Sequence, residues 1–347
     1  MLEKENLTKK IFVFCNRLPE FCSPFLLETG TEMANTTRLA YAHELDWFFE
    51  YLVNYKPDFC DMDPKDITLE DFKKVNSQDI SRYLTIIRDQ GRAERTVARK
   101  RAALSRFFSY LTANRMVPFN PVNAAVKVKI HQSDEVLHLD MREQIRFLDA
   151  VESGDGLTKR QQKHHDRYRL RDLALITMLL DTGMRVSEIH AIDIADLDLD
   201  KCSVVIIRKG GNMQTIYFSD ECRDCLRDYL DQRKVSHTEL NKRSPLFVTT
   251  GEKRLSIRAI EVLVKKYAIS SIPGKGVKIS PHKMRSSFAM EFYAEEKDIL
   301  ALQRKMGHKN ITATNIYAKA TDKKMRETRS VIEERRKRLR ENPEEEE

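Results

Sequence analysis

The chain has no long apolar run. Its first stretch, MLEKENLTKKIFVFCNRLPEF, holds only the short segment IFVF and is then broken by Asn16 and Arg17, which predicts neither a signal peptide nor a membrane span. The expectation is a soluble, cytoplasmic protein. Cysteine is sparse: six residues spread over 347 do not suit a disulfide framework, so free and mostly buried thiols in a reducing compartment are expected. Cys222 and Cys225 form a C-x-x-C pair, but no second Cys/His pair follows at a zinc-site spacing, so the pair reads as one turn of the helix in DECRDCLRDYLDQR. A Gly-rich phosphate loop of the G-x-x-x-x-G-K-[ST] type is missing, and so are the clustered carboxylates of a two-metal site. No metal and no nucleotide cofactor are therefore expected. No long internal repeat and no low-complexity segment occur before the terminal NPEEEE, which reads as an acidic tail.

What is present in excess is positive charge. The formal net charge is +8, which suits a polyanionic partner such as nucleic acid or an anionic membrane surface. The charge is localised: from Arg82 to Lys129 eleven Lys or Arg face two acidic residues, Asp89 and Glu94, so this stretch alone is more basic than the whole chain. A solvated helix face would explain a single basic helix. Here Arg95, Arg99, Arg101 and Arg106 flank apolar Val97, Ala103, Leu104, Phe107 and Phe108, so one face can pack while the other meets phosphates, and DNA contact is the favoured reading.

A chain of 347 residues exceeds the roughly 100 to 200 residues usual for one domain. TTRLAYAHELDWFFEYL repeats apolar residues at three and four spacing, with Leu39, Leu45, Phe48, Phe49 and Leu52 on one face, and predicts an amphipathic helix. SQDISRYLTIIRDQG and ERTVARKRAALSRFFSYLTANR predict two more, and Asn120-Pro121 ends the bundle. Residues 124–139 lack a clear helical period and read as a linker, closed by Asp140 as the N-cap of MREQIRFLDAVES. Beyond it, RDLALITMLLDTG predicts an apolar helix ended by Gly183, with a further helical turn in MRVSEIHAI. KCSVVIIRKGGNMQTIYFS predicts a hairpin with Lys209 at or beside its tip. A helix, a short strand LFVTT, the helix LSIRAIEVLVKKYAI and a helix opened by Ser280-Pro281 follow. The division read here is an N-terminal extension over 1–30, a helical domain over 31–123, a linker over 124–139, a second domain over 140–322, and a C-terminal helix with acidic tail over 323–347.

Four separated pieces hold the residue types needed to break a phosphodiester by nucleophilic substitution: Arg185, Lys209, the pair His282 and Arg285, and His308 with Tyr317. Each piece alone arises often by chance, and the ordered set carries the signal. An arginine fork donates two hydrogen bonds to phosphate oxygens and keeps its proton at neutral pH, which suits Arg185 and Arg285 to clamping a phosphate, with His308 as a third donor. A tyrosine hydroxyl, with an ordinary pKa of about 10, must shed its proton as it attacks, and His282 is the candidate acceptor. Lys209 is the candidate acid for the leaving oxygen, its pKa lowered by neighbouring arginines. Glu188, three residues after Arg185, reads either as a surface ion pair or as the group that orients that arginine.

In DTGMRVSEI, RKGGNMQTIYFS, SPHKMRSSFA and KMGHKNITATNIYAKA the sequence resembles the tyrosine recombinases, a family that includes phage integrases and Xer-type chromosome resolvases. The family's lysine follows its first arginine by about two dozen residues and its tyrosine follows the last histidine by nine, and the intervals 185 to 209 and 308 to 317 fit. The likeness runs from about Thr36 to the last helix and is stronger in the C-terminal half. In the N-terminal half it rests on TTRLAYAHELDWFFEYL, RTVARKRAALSRFFSYL and Asn120-Pro121. Ser286 stands where relatives often have histidine, a position that is not catalytic.

The resemblance implies a mainly α fold with a small β-sheet: an N-terminal helical, SAM-like core-binding domain and a C-terminal catalytic domain over 140–322. It implies a site-specific recombinase or integrase that cleaves and rejoins DNA through a 3′-phosphotyrosyl bond to Tyr317, without ATP, acting as a homo-tetramer on two double-stranded recombination sites. It also implies a nucleoid-associated bacterial location and room for an accessory directionality factor. The segment DKKMRETRSVIEERRKRLREN, with a thin stripe of Met325, Val331, Ile332 and Leu339, resembles one that relatives dock on a neighbouring subunit; a solvated charged helix is the competing reading. Two other functions fit the same chemistry or fold: a type IB topoisomerase-like relaxing enzyme, and a catalytically inactive DNA-binding architectural protein, against which the six intact positions argue.

Overall fold

The structure, a computed structural model, describes residues 2–28, 33–128, 136–208, 211–236, 243–308 and 310–321. It is mostly helical with one small three-stranded sheet. The chain divides into two compact units, residues 1–132 and 133–347.

The first unit is built from α1 (Leu2–Cys15), α2 (Cys22–Glu28), α3 (Asn35–Tyr55), the single turn α4 (Leu69–Phe72), α5 (Ser77–Asp89) and α6 (Glu94–Ala113). Residues of the N-terminal extension take part in its core: Ile11, Leu18, Phe21, Phe25 and Leu26 are buried with Phe48, Phe49, Phe72, Phe107 and Phe108. The rings interlock, with Phe72 and Phe108 stacked at 5.1 Å and Phe25 edge-on to Phe107 at 5.2 Å, the geometries that aromatic quadrupoles favour. Arg38 of α3 donates from Nη1 to the carbonyls of Leu26 and Leu27, satisfying groups that the end of α2 leaves open. α5 is started by a reciprocal cap, in which Asn76 accepts from the Asp79 amide while the Asp79 carboxylate accepts from the Asn76 amide. The same carboxylate pairs with buried Lys56 at 2.9 Å. Asn120-Pro121 does close the bundle, in a short 3-10 turn whose Pro121 and Val122 are buried.

In the second unit, α7 (Met141–Ser153), α9 (His165–Thr182), α11 (Asp220–Ser236) and α12 (Ile257–Ser271) enclose one core around Phe147, Leu175, Leu179, Leu226, Val264 and Tyr267. α7 begins as the sequence predicts, with Asp140 and Glu143 capping each other. Buried Asp172 joins α9 to α12, accepting from the Tyr267 hydroxyl at 2.9 Å and from Lys266 at 3.2 Å. β1 (Leu197–Asp198), β2 (Ser203–Ile207) and β3 (Met213–Tyr217) pair antiparallel in that order, with Val205 opposite Thr215. The predicted hairpin is therefore present. The predicted strand LFVTT is not: within it only Val248 forms an isolated bridge, to Arg254, while Pro245 just before it bridges Asp193. Single bonds tie the segment down instead of a ladder: Arg233 of α11 donates to the carbonyls of Pro245 and Leu246, and the Leu246 amide donates to the Ile192 carbonyl.

Two short helices, α8 (Lys159–Gln162) and α10 (Val186–Ala191), flank α9, and α13 (Pro281–Glu296) and α14 (Ile299–Met306) complete the unit together with a helix over residues 312–321. Phe288, Ala289 and Met290 of α13, Leu302 and Met306 of α14, and Tyr317 form a separate buried cluster. All six cysteines are free; Cys22 and Cys222 are buried, Cys60 is exposed and the rest lie between, so burial is less general than composition suggests. Cys222 and Cys225 share one turn of α11. Among the described residues no helix is long and apolar enough to cross a membrane.

Candidate active site

The site grows from the end of α9. Gly183 closes that helix in the left-handed conformation at φ 59°, and a Cβ there would stand 2.3 Å from the Phe288 ring, so only glycine fits the turn. The turn places Arg185 at the N-cap of α10. Glu188 reaches back: its Oε2 accepts from the Arg185 amide at 2.8 Å and its Oε1 from Arg185 Nη1 at 2.9 Å. The glutamate is buried while the Arg185 side chain remains 38% exposed, so the carboxylate fixes a guanidinium that stays partly open to solvent.

Arg285 approaches from α13, whose start is set by Ser280 and Pro281. It is 3% exposed and donates from Nη1 to the Gly183 carbonyl and from Nη2 to the Met306 carbonyl. One buried fork thus ties the turn before Arg185 to the end of α14. Burial, with Arg185 and Arg208 nearby, pushes the Arg285 guanidinium down to about 10, while Glu188 and Tyr317 act in the opposite sense.

α14 ends at Gly307, again left-handed, and His308 follows. The His308 amide donates to the Gln303 carbonyl and its Nδ1 lies 2.9 Å from Thr314 Oγ1, which anchors the ring to the helix over 312–321 that carries Tyr317. Partial burial and the charges of Arg285, Arg185, Arg208 and His282 hold the His308 imidazole at about 4. His282 lies one turn before Arg285; desolvation of its ring, then Lys283, Arg285 and Arg185, lower its imidazole below the ordinary range. Tyr317 is 3% exposed, packed in the cluster with Phe288, Leu302 and Met306. Arg185, Glu188, His282, Arg285, His308 and Tyr317 are therefore gathered in one region of the second unit. Lys209 lies outside the described residues.

The profile of the "Phage integrase family" matches residues 155–324, and that of the "Phage integrase, N-terminal SAM-like domain" matches residues 26–115. The chain belongs to the phage integrase family of tyrosine recombinases. It is similar to the tyrosine recombinase XerC of Caldanaerobacter subterraneus, 29% identical over 91% of this chain and 87% of that protein. The tyrosine recombinase XerS of Lactococcus lactis is 25% identical over 91% of this chain and 96% of its own. Among solved structures, the post-cleavage complex of the XerH site-specific recombinase with its palindromic difH substrate superposes with a TM-score of 0.70 at 20% identity, covering 94% of this chain and 89% of that one. This recombinase is accordingly a tyrosine-type site-specific recombinase, in two parts: the SAM-like helical unit and the catalytic unit.

Two features of this tyrosine recombinase escape a reading of the sequence. One is Arg208, 8% exposed, whose guanidinium enters the site from the end of β2 and lies 3.5 Å from Glu188 Oε1. The signal was available: Val204, Ile206 and Arg208 alternate on the inward face of one strand, as period-two geometry requires. The other concerns the basic face of α6. Arg95, Arg99 and Arg106 are exposed, but Arg99 also pairs with buried Glu44 at 2.7 Å, and Arg101 donates to the Val122 carbonyl at 2.8 Å and so braces the end of the bundle.

The depressed histidines make acid sensitivity predictable. An imidazole held at about 4 in the folded protein against an ordinary 6.5 binds its proton in the unfolded chain first as pH falls. Its contribution is absent above about pH 6.5 and destabilises progressively between there and pH 4, with His282 acting in the same direction. Thermal unfolding followed from pH 7 to pH 5 should show the midpoint falling, and the slope should be smaller in His308→Gln; an equal slope in both proteins would contradict the assignment.

Proposed function

We propose that this recombinase cuts and rejoins double-stranded recombination sites through a 3′-phosphotyrosyl intermediate on Tyr317. Arg185 and Arg285 bind the nonbridging oxygens of the scissile phosphate, where charge accumulates in the transition state, and His308 adds a donor. Nδ1 lies 2.9 Å from the Thr314 hydroxyl; in this reading that hydroxyl donates to it, which leaves the His308 proton on Nε2 for the phosphate. The Tyr317 oxygen attacks phosphorus, its proton passes to His282, and the bond from phosphorus to the 5′ oxygen breaks as Lys209 protonates that oxygen. His282 is suited to accept because its lowered pKa keeps it neutral at physiological pH. The reverse attack by a 5′ hydroxyl from another strand reseals DNA without an external energy source. The observation that carries the proposal is the Arg285 fork, which joins the Arg185 turn to the His308 segment through two backbone carbonyls. Arg95, Arg99 and Arg106 on α6 are proposed to meet DNA phosphates, and Arg101 to do so only through what its brace to Val122 leaves free.

The reading is tested with a supercoiled plasmid carrying two copies of the sequence this protein selects from a random duplex pool, beside a plasmid lacking it. Recombinant products from the first alone are expected; robust relaxation of the second would favour a topoisomerase-like swivel, and binding without any strand cleavage an architectural role.

Action as a homo-tetramer, with a possible accessory directionality factor, and a place on the bacterial nucleoid belong to the same proposal. A groove of about 570 Å³ on the second unit supports the tetramer: Met141, Ile145 and Phe292 give it an apolar floor, and Glu221, Glu291 and Glu295 make it acidic. Residues 322–342, outside the described part, hold nine Lys or Arg against five acidic residues with the apolar stripe of Met325, Val331, Ile332 and Leu339, a complementary occupant from a neighbouring copy. Deleting residues 323–347 should lower cooperative synapsis of two sites while single-site binding persists, which gel-shift titration with one and two sites would resolve; parallel loss of both would refute the docking.

A further inference from the structure

Arg208 directs its guanidinium at the protein itself. Its side chain is 8% exposed, and every arm of the guanidinium is engaged: Nε donates to Gln214 Oε1 at 2.7 Å, Nη1 to the Met306 carbonyl at 2.7 Å, Nη2 to the Lys305 carbonyl at 2.7 Å, and Nη1 also lies 3.5 Å from Glu188 Oε1. The last carbonyls of a helix have no partner within it, and here those of α14 are satisfied from the hairpin. Gln214 of β3 adds a bond from Nε2 to the Arg304 carbonyl at 3.3 Å. The contact is close enough to dictate the next residue: a Cβ on Gly307 would stand 2.4 Å from Arg208 Nη1. Met306 O is shared, since it also accepts from Arg285 Nη2, and Glu188 Oε1 is shared with Arg185. Arg208 is thus the link by which both arginine anchors and the peptide leading into His308 are held in one frame.

We propose that Arg208 is a positioning residue for strand cleavage, holding the Met306–His308 segment and the Glu188 carboxylate in register so that His308 and Arg185 meet the phosphate together; this rests on the phosphotyrosyl reading above. An arginine is required because only a planar fork reaches two successive carbonyls, a side-chain amide and a carboxylate at once; an ammonium radiates its three donors from one atom. A helix cap that merely stabilised the fold would change stability without a selective effect on chemistry.

The test uses the full chain, as Arg208→Met and Arg208→Lys, with a nicked suicide duplex built on the sequence that the wild-type protein selects from a random pool. Single-turnover formation of the covalent adduct is measured at saturating protein, duplex affinity by fluorescence anisotropy, and the His308 ring titration by NMR on the free protein. Arg208→Met should cleave about 100-fold more slowly, the scale expected for a small misplacement of reacting groups, while duplex affinity is unchanged. Arg208→Lys should lie between it and wild type. The His308 titration should move upward in Arg208→Met, since one of the cations facing that ring is removed while Arg285 and His282 of α13, Arg185 of α10 and Thr314 remain. Wild-type cleavage rates in both variants, or affinity falling in step with the rate, would overturn the proposal. If Arg208→Met does not fold, Arg208→Lys decides by the same two criteria. Should wild-type protein form no adduct, the phosphotyrosyl reading fails, and the NMR titration judges Arg208 independently: an unmoved His308 refutes its place in the frame.

Discussion

Replacing Tyr317 by Phe should abolish covalent adduct formation on a nicked suicide duplex while leaving duplex binding and the thermal midpoint close to wild type. The substitution removes one hydroxyl and keeps the ring that fills the cluster of Phe288, Leu302 and Met306, so neither the fold nor the arginine frame loses its packing. The expected loss is total because a covalent intermediate has no substitute nucleophile at that position, and no residual donor can form the phosphate ester. Adduct detected with the variant by denaturing gel or mass spectrometry would end the assignment of Tyr317.

Arg185→Lys should lower single-turnover cleavage by about 10²–10³-fold, the cost of removing one preorganised donor to developing charge. Arg185 is more sensitive than its charge alone suggests. Its Nη1 is committed to Glu188 at 2.9 Å, so a bidentate hold on phosphate relies on the remaining donors of a planar group that stays partly open to solvent. A lysine keeps the charge, and with it most of the nonspecific attraction to DNA, but it cannot satisfy Glu188 and two phosphate oxygens in one plane. Duplex affinity should therefore fall far less than the cleavage rate. Cleavage near the wild-type rate would mean that Arg185 serves Glu188 and the local turn only.

Much of the catalytic unit was legible because its local signals agree with its tertiary contacts. Asp140 and Glu143 stand at the spacing of a reciprocal cap, and they form one; the Lys-Gly-Gly-Asn turn between β-branched runs predicts the hairpin, and the register Val205 to Thr215 follows. LFVTT had the composition of a strand, yet Arg233 of α11 takes the carbonyl of Leu246 and that of Pro245 just before it, so propensity lost to a side-chain donor outside the segment. Arg101 shared the basic stripe of α6, but its guanidinium turns to the Val122 carbonyl, a partner that charge counting does not reveal.

By itself the sequence determined the residue types, their order and their intervals: two arginines, two histidines and a tyrosine with the glycine-ended helices that present them, because caps, turns and periodicity act over a few residues. Only the tertiary structure decided how they share partners. Arg285 meets Gly183 and Met306 across 102 and 21 residues, and Arg208 meets Met306 across 98, through backbone carbonyls, which every residue carries. A partner that all twenty amino acids provide leaves no mark in composition or spacing, so the folding of α9, β2, α13 and α14 against one another had to select it.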